Sequence, residues 1–352
     1  MDVNDQNHTA SEQFDPEKDS KLMLAGYKRV CAKLGLAMAI YFICRIIAGF
    51  ISGFISDFTS ILGDSMHSLI HYTISILFVY IIPLLVTMLI FNSFEVYKGK
   101  YRELYQKPKR LARALGAFPA SYGLGHGVAL LTMLVSHLLI NNLEITGHLE
   151  DLFRPTTMEM PANFLSIVLL VFIMVVIAPL FEEFWCRGIM YDALKPYGTG
   201  IAIIITSIIF GLMHGSLYML FYTTAYGLAL GYIRYATGSL FTVTVLHAIV
   251  NAIAAGALIL TILSEVTHTE SRLVTTFFYI YIIAFLVLLV VGVIVFLSKI
   301  PSMRKYKIEN AWPEKSPWKK TAWFFVSIPV ILMMVLAASE FSGHILIRMF
   351  IR

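Results

Sequence analysis

Charge is scarce in this sequence: Asp, Glu, Lys and Arg make up 14% of its 352 residues, and 58% are hydrophobic. A soluble globular domain carries about 25% charged residues, so a water-soluble fold is excluded. Cysteine is scarcer still. Three are present, Cys31, Cys44 and Cys186. Their number and scatter support neither a disulfide framework nor a thiolate metal site, and Cys186 reads as a small packing residue. Several hydrolase signatures are also missing. There is no His-Glu-x-x-His, which removes the usual zinc-helix arrangement. No Gly-x-Ser-x-Gly sets up a serine nucleophile, and no Gly-x-Gly-Asp follows Tyr191-Asp192. No internal repeat is evident. No signal peptide is visible, because residues 1–33 are polar and mixed in charge.

What is present is a succession of long apolar runs, each sufficient to cross roughly 30 Å of hydrocarbon. The expected fold is all-α, a polytopic transmembrane bundle of about nine spans, with eight as the alternative. The spans are Leu34–Ile55, Leu69–Phe91, Ser121–Ile140, Asn163–Phe181, Gly200–Met213, Leu217–Ile233, Leu240–Leu263, Val274–Leu297 and Thr321–Ala338. The fifth and sixth are short and interrupted by Gly and His. The organisation follows: a tail over 1–33, three spans over 34–162, a core over 163–263 and terminal spans over 264–352.

Lys and Arg set the orientation. Met1 to Lys33, Ser93 to Phe118 and Lys299 to Lys320 hold 5, 7 and 7 basic residues, 19 of the chain's 27. The segment from Asn141 to Ala162 has one, Arg154, among four acids. The expected protein is therefore integral to the plasma membrane with a cytoplasmic N-terminus, which makes the Asn7-His8-Thr9 sequon a chance match. The net charge of +5 lies in membrane-flanking loops. It points to the lipid bilayer as partner and not to nucleic acid.

Three polar clusters fall in consecutive spans. After eighteen nearly unbroken apolar residues, Phe164 to Phe181, comes Glu182-Glu183-Phe184-Trp185-Cys186-Arg187. Ionisable groups inside a membrane cost about 2.5–3.5 kcal/mol each at a helix centre and mark functional sites by default. On a helix Glu183 and Arg187 share a face, while Glu182 points about 100° away toward another neighbour. The second cluster is Phe210-Gly211-Leu212-Met213-His214. In the third, His247-Ala248-Ile249-Val250-Asn251, an imidazole and an amide lie one turn apart.

Taken in order, Glu-Glu-x-x-x-Arg, Phe-x-x-x-His and His-x-x-x-Asn resemble the CPBP intramembrane proteases. This group, also called Abi, includes the type II CAAX prenyl endopeptidases. The resemblance covers Asn163 to Ile262, with Pro179 and Gly188 fitting and Cys186 standing where an aromatic is usual. It implies an intramembrane endopeptidase acting on membrane-embedded or membrane-proximal peptides. Amide hydrolysis needs an activated water, a base and a stabilised oxyanion. The resemblance implies Glu182 as the base, with His214 holding the water. His247 and Asn251 would stabilise the oxyanion, and Glu183 and Arg187 would support Glu182. Glu182, His214 and His247 could alternatively bind zinc with one position open for water, or the site could work without metal.

Other polar residues read as structural. Asp64, His67 and His71 look like interfacial groups, and His126 and His137 like packed histidines. Gly227 and Gly231 form a small-residue pair for close helix packing. Arg45 sits mid-span and needs a partner that the sequence does not name. Two other functions stay open, a catalytically silent scaffold or immunity protein and an ion- or proton-coupled transporter. The polar groups cluster in one region without the pseudo-symmetric halves expected of a transporter.

Overall fold

In hydrocarbon each backbone polar group must be satisfied within its own segment, so an apolar run folds as helix. The structure, a computed structural model, describes residues 16–93, 105, 111–142, 163–266, 272–303 and 317–341, and their regular structure is entirely helical. The helices are α1 (Pro16–Ser60), α2 (Asp64–Ile90), α3 (Leu111–Asn142), α4 (Phe164–Tyr197) and α5 (Thr199–Leu212). They continue as α6 (Leu217–Thr237), α7 (Leu240–Val266), α8 (Arg272–Met303), α9 (Pro317–Phe325) and α10 (Ile328–Phe341). The Asn7 sequon and most of the acidic segment before α4 lie outside the described residues, as do most of the basic residues between α2 and α3 and between α8 and α9.

Among the described residues, six helices are long and apolar enough to cross a membrane: α1, α2, α3, α4, α7 and α8. A seventh span arises if α9 and α10, bent by 69° at their junction, count as one. The expected count of nine is not confirmed, and the difference falls at the fifth and sixth positions. Helix α5 has 14 residues, about 21 Å at 1.5 Å per residue, too short to cross. Helix α6 is longer, but it carries five tyrosines, three threonines and Arg234 in 21 residues. The two helices form an antiparallel packed pair.

The fourth span also differs. The sequence suggests a helix end at Phe181, yet α4 runs on through the acidic pair to Tyr197. The motif therefore lies within the helix, where neighbours on several sides can reach it.

Packing builds a wall around this segment. Helices α5 and α6 pack together, α6 packs on α3, α3 on α8, and α1 on α10, while α4 contacts α2, α5 and α7. Glycines allow the closest approaches. A Cβ on Gly292 of α8 would overlap the Pro119 carbonyl of α3 and meet Gly123. On α6, a Cβ on Gly231 would lie 3.0 Å from Ile203 and one on Gly227 3.1 Å from Ser207. The small-residue pair thus seats α6 against α5. The core gathers Tyr27 and Met38 of α1, Trp185 and Met190 of α4, Ile205 of α5 and Leu230 of α6. Tyr27 and Cys31 are fully buried, so α1 is already packed within the segment expected as a tail. In contrast, Phe277, Ile283, Val287 and Ile294 of α8 are more than half exposed, as a lipid-facing helix requires.

Candidate active site

Two departures from α-helical geometry shape α4. Residues Ile173–Ile177 form a π-helical turn, and Ala178 N–H donates to the Ile173 carbonyl. In that pattern the next donor would bond Met174, but residue 179 is proline and has no N–H. An orphan carbonyl in hydrocarbon costs several kcal/mol. Asn251 of α7 satisfies it, donating from Nδ2 to the Met174 carbonyl at 2.8 Å. The second π-helical stretch, Phe184–Met190, follows the acidic pair and is buried throughout. There Arg234 of α6 donates from Nε to the Arg187 carbonyl at 3.2 Å and stands 3.8 Å from Asp192. Insertions of this kind favour functional sites because they let neighbouring helices reach the backbone.

The acidic pair divides as its helical spacing implies. Glu183 is fully buried, and its Oε1 accepts from Arg187 Nη1 at 3.0 Å. The same oxygen lies 2.9 Å from His247 Nδ1. A carboxylate only accepts, so Nδ1 is the donor. Arg187, also fully buried, donates from Nη2 to the Gly227 carbonyl at 3.1 Å. Gly227 is therefore part of the site's support, a role its sequence spacing suggested only as packing. Glu182 faces the other way and is 13% exposed, with Oε2 4.0 Å from His247 Nε2. That separation exceeds a direct hydrogen bond and suits a bridge through one intervening group.

Phe210 organises the aromatic side. The Arg187 guanidinium stacks over its ring at 4.3 Å from the centroid. The rings of His214 and His247 meet it edge-on at 4.9 and 5.5 Å. His214 lies 2.8 Å by Nδ1 from the Phe210 carbonyl. The carbonyl can only accept, so Nδ1 carries the proton and the neutral ring presents its lone pair at Nε2. Tyr226 of α6 closes the far side of His247 at 5.9 Å.

The structure thus brings Glu182, Glu183, Arg187, Phe210, His214 and His247 into one cluster, in which Glu182 and His214 are partly buried and the other four buried. Asn251, one turn beyond His247, is bonded to the α4 backbone. Zinc would require Glu182, His214 and His247 to converge. Both histidines bond through Nδ1 and leave Nε2 open, but among the described residues no three His, Cys, Asp or Glu side chains stand together so as to hold a metal ion. The donor set as placed does not fit a resident metal, and the chemistry below uses none. Cys186 is fully buried with its Sγ 3.8 Å from Met213 Sδ, a packing contact. The His67 and His71 rings meet tilted at 4.2 Å, and His67 meets Thr59 at 2.7 Å, which ties α2 to the end of α1. His126 stacks on Tyr122 at 4.0 Å. Sequence reasoning missed Gly227, Met174 and Arg234, because their roles pass through backbone groups that every residue has.

Residues 164–253, about a quarter of the chain, match the family model described as type II CAAX prenyl endopeptidase Rce1-like. The match supports placing this segment with the CPBP/CAAX proteases, and with it a CAAX-type intramembrane protease in general. It spans the three polar clusters and all the residues of the buried site. No curated protein and no solved structure matches the chain.

Proposed function

We propose that this chain is an intramembrane endopeptidase. It would hydrolyse membrane-associated peptides or proteins by a water that Glu182 activates. The observation that carries the reading is the division of labour in the acidic pair. Glu183 is bound to Arg187 and His247, while Glu182 keeps a carboxylate oxygen turned to the far nitrogen of the same imidazole.

A water between Glu182 and His214 donates one hydrogen to the carboxylate and one to the His214 Nε2 lone pair. Its oxygen lone pair then points at the substrate carbonyl. As the O–C bond forms, the proton passes to Glu182 and the carbonyl electrons move to the oxyanion. In its doubly protonated form His247 donates from Nδ1 to Glu183 and from Nε2 to that oxyanion. Asn251 has a second N–H on the amide that binds Met174 and offers it to the same charge. Collapse returns the electrons, breaks the C–N bond and carries the proton from Glu182 to the leaving amine. A base of this kind contributes about 10²–10⁴ in rate and one aimed donor about 10²–10³. Burial keeps these charges in a low dielectric, where they act strongly.

The family description and the membrane setting support the choice of substrate class. It is a prenylated C-terminal motif, or a bacterial leader or membrane peptide, presented from the lipid. The test is mass spectrometry of membrane peptides from cells carrying the wild type or Glu182→Ala. A cleavage product found only with wild type is expected. Identical peptide sets from stably inserted proteins would leave a scaffold as the function.

A further inference from the structure

Arg45, mid-span in α1 and outside the family-matched segment, has its partner at the end of α5. Its Nη1 donates to the Met213 carbonyl at 2.7 Å and to the Tyr41 hydroxyl at 3.0 Å. The Tyr41 hydroxyl donates to the same Met213 carbonyl at 3.0 Å. Met213 directly precedes His214. The last carbonyls of a helix have no intrahelical partner, and a cation there also meets the negative end of the helix dipole. Helix α5 ends inside the bundle at Leu212, followed by a tight turn in which Gly215 has φ +65°. His214 N–H reaches only the Gly211 carbonyl, at 3.3 Å. Backbone bonds from Met213, His214 and Gly215 close the turn that carries His214, and side-chain bonds add to them. One side-chain bond is its own ring to Phe210, and the others come from α1. Tyr41 is itself fixed edge-on against Trp185 of α4, at 5.2 Å between centroids.

We infer that Arg45 is a positioning residue: through the Met213 carbonyl, α1 fixes the orientation of His214 toward the water-binding face of Glu182. A long helix outside the matched segment thereby becomes part of the working site. The kinetic part of this inference rests on the hydrolase reading; the orientation of His214 does not.

The experiment compares wild type with Arg45→Gln, Arg45→Lys, Tyr41→Phe and Glu182→Gln, purified in one detergent. It reads kcat and KM on a membrane peptide. It also reads the imidazole ¹⁵N resonances of histidine-labelled protein, with the His214 signals identified by their loss in His214→Gln. Arg45→Gln should lower kcat about 10–100-fold with little change in KM and shift the His214 resonances. Arg45→Lys, which keeps the charge and a donor, should restore most of both. Tyr41→Phe removes the second donor to the same carbonyl and keeps the ring, so it should shift His214 in the same direction by less. It decides the matter if Arg45→Gln does not insert stably. His214 resonances that stay put in the folded variants, or a wild-type kcat in folded Arg45→Gln, overturn the inference. If Glu182→Gln cleaves as fast as wild type, the role given to Glu182 fails instead, and if wild type does not cleave, the hydrolase reading fails; in either case the His214 resonances alone decide the role of Arg45.

Discussion

Replacing Glu183 by Gln removes the negative charge that Arg187 bonds directly. Arg187 and Glu183 are each fully buried, and His247 is 3% exposed. The substitution leaves a guanidinium with one carbonyl partner, Gly227, and an imidazole Nδ1 facing an amide. Breaking a buried pair by deleting one member costs about 3–5 kcal/mol, because the surviving charge stays buried. Replacing both members by neutral groups avoids that term. Glu183→Gln alone should therefore lose about 3–5 kcal/mol of stability, and Arg187→Met alone a similar amount, since it strands the carboxylate. The double variant should lose less than the sum of the two, with a coupling of about 0.5–3 kcal/mol. Reversible unfolding in mixed detergent micelles measures all four corners of this cycle. Additive losses would show that the two charges do not sense one another, and the argument that Glu183 is held by Arg187 would be wrong.

Asn251→Ala should have two separable effects. Loss of the bond to Met174 should destabilise the protein by roughly 0.6–1.7 kcal/mol, the range of interhelical hydrogen bonds in membranes, read in the same unfolding assay. Loss of the oxyanion donor should lower kcat by about 10²–10³; a stability loss without a rate loss would leave Asn251 as a purely structural cap. Exhaustive chelation, followed by metal analysis, should leave cleavage at its full rate, because the placed donors make no metal site. Activity lost on chelation and regained only with added zinc would mean that His214 and His247 rearrange to bind it.

The polar trio was legible because each cluster interrupts an apolar run, where charge is expensive. Residue spacing alone separated Glu182 from Glu183 and joined Glu183 to Arg187. The end of α4 was not legible. A carboxylate pair after eighteen apolar residues looks like the water boundary, and only the partners on α6 and α7 make it tolerable inside a helix. The fifth and sixth spans are ambiguous for a related reason: apolar composition signals burial as well as membrane crossing, and most of α5 is buried by protein. Arg45 announced a need without naming its partner. That partner is a backbone carbonyl 168 residues away, and carbonyls leave no trace in sequence. The same holds for Met174, exposed to Asn251 by the combination of Pro179 and a π-helical turn.

The central claim is that Glu182 activates the water that enters the product. Cleavage of a membrane peptide by the reconstituted protein in ¹⁸O-labelled water measures this directly. The account predicts one ¹⁸O in the new carboxyl group of the wild-type product. It also predicts that Glu182→Gln, folded and inserted, forms product at least about 10²-fold more slowly. Labelled product appearing at the wild-type rate from Glu182→Gln would contradict it.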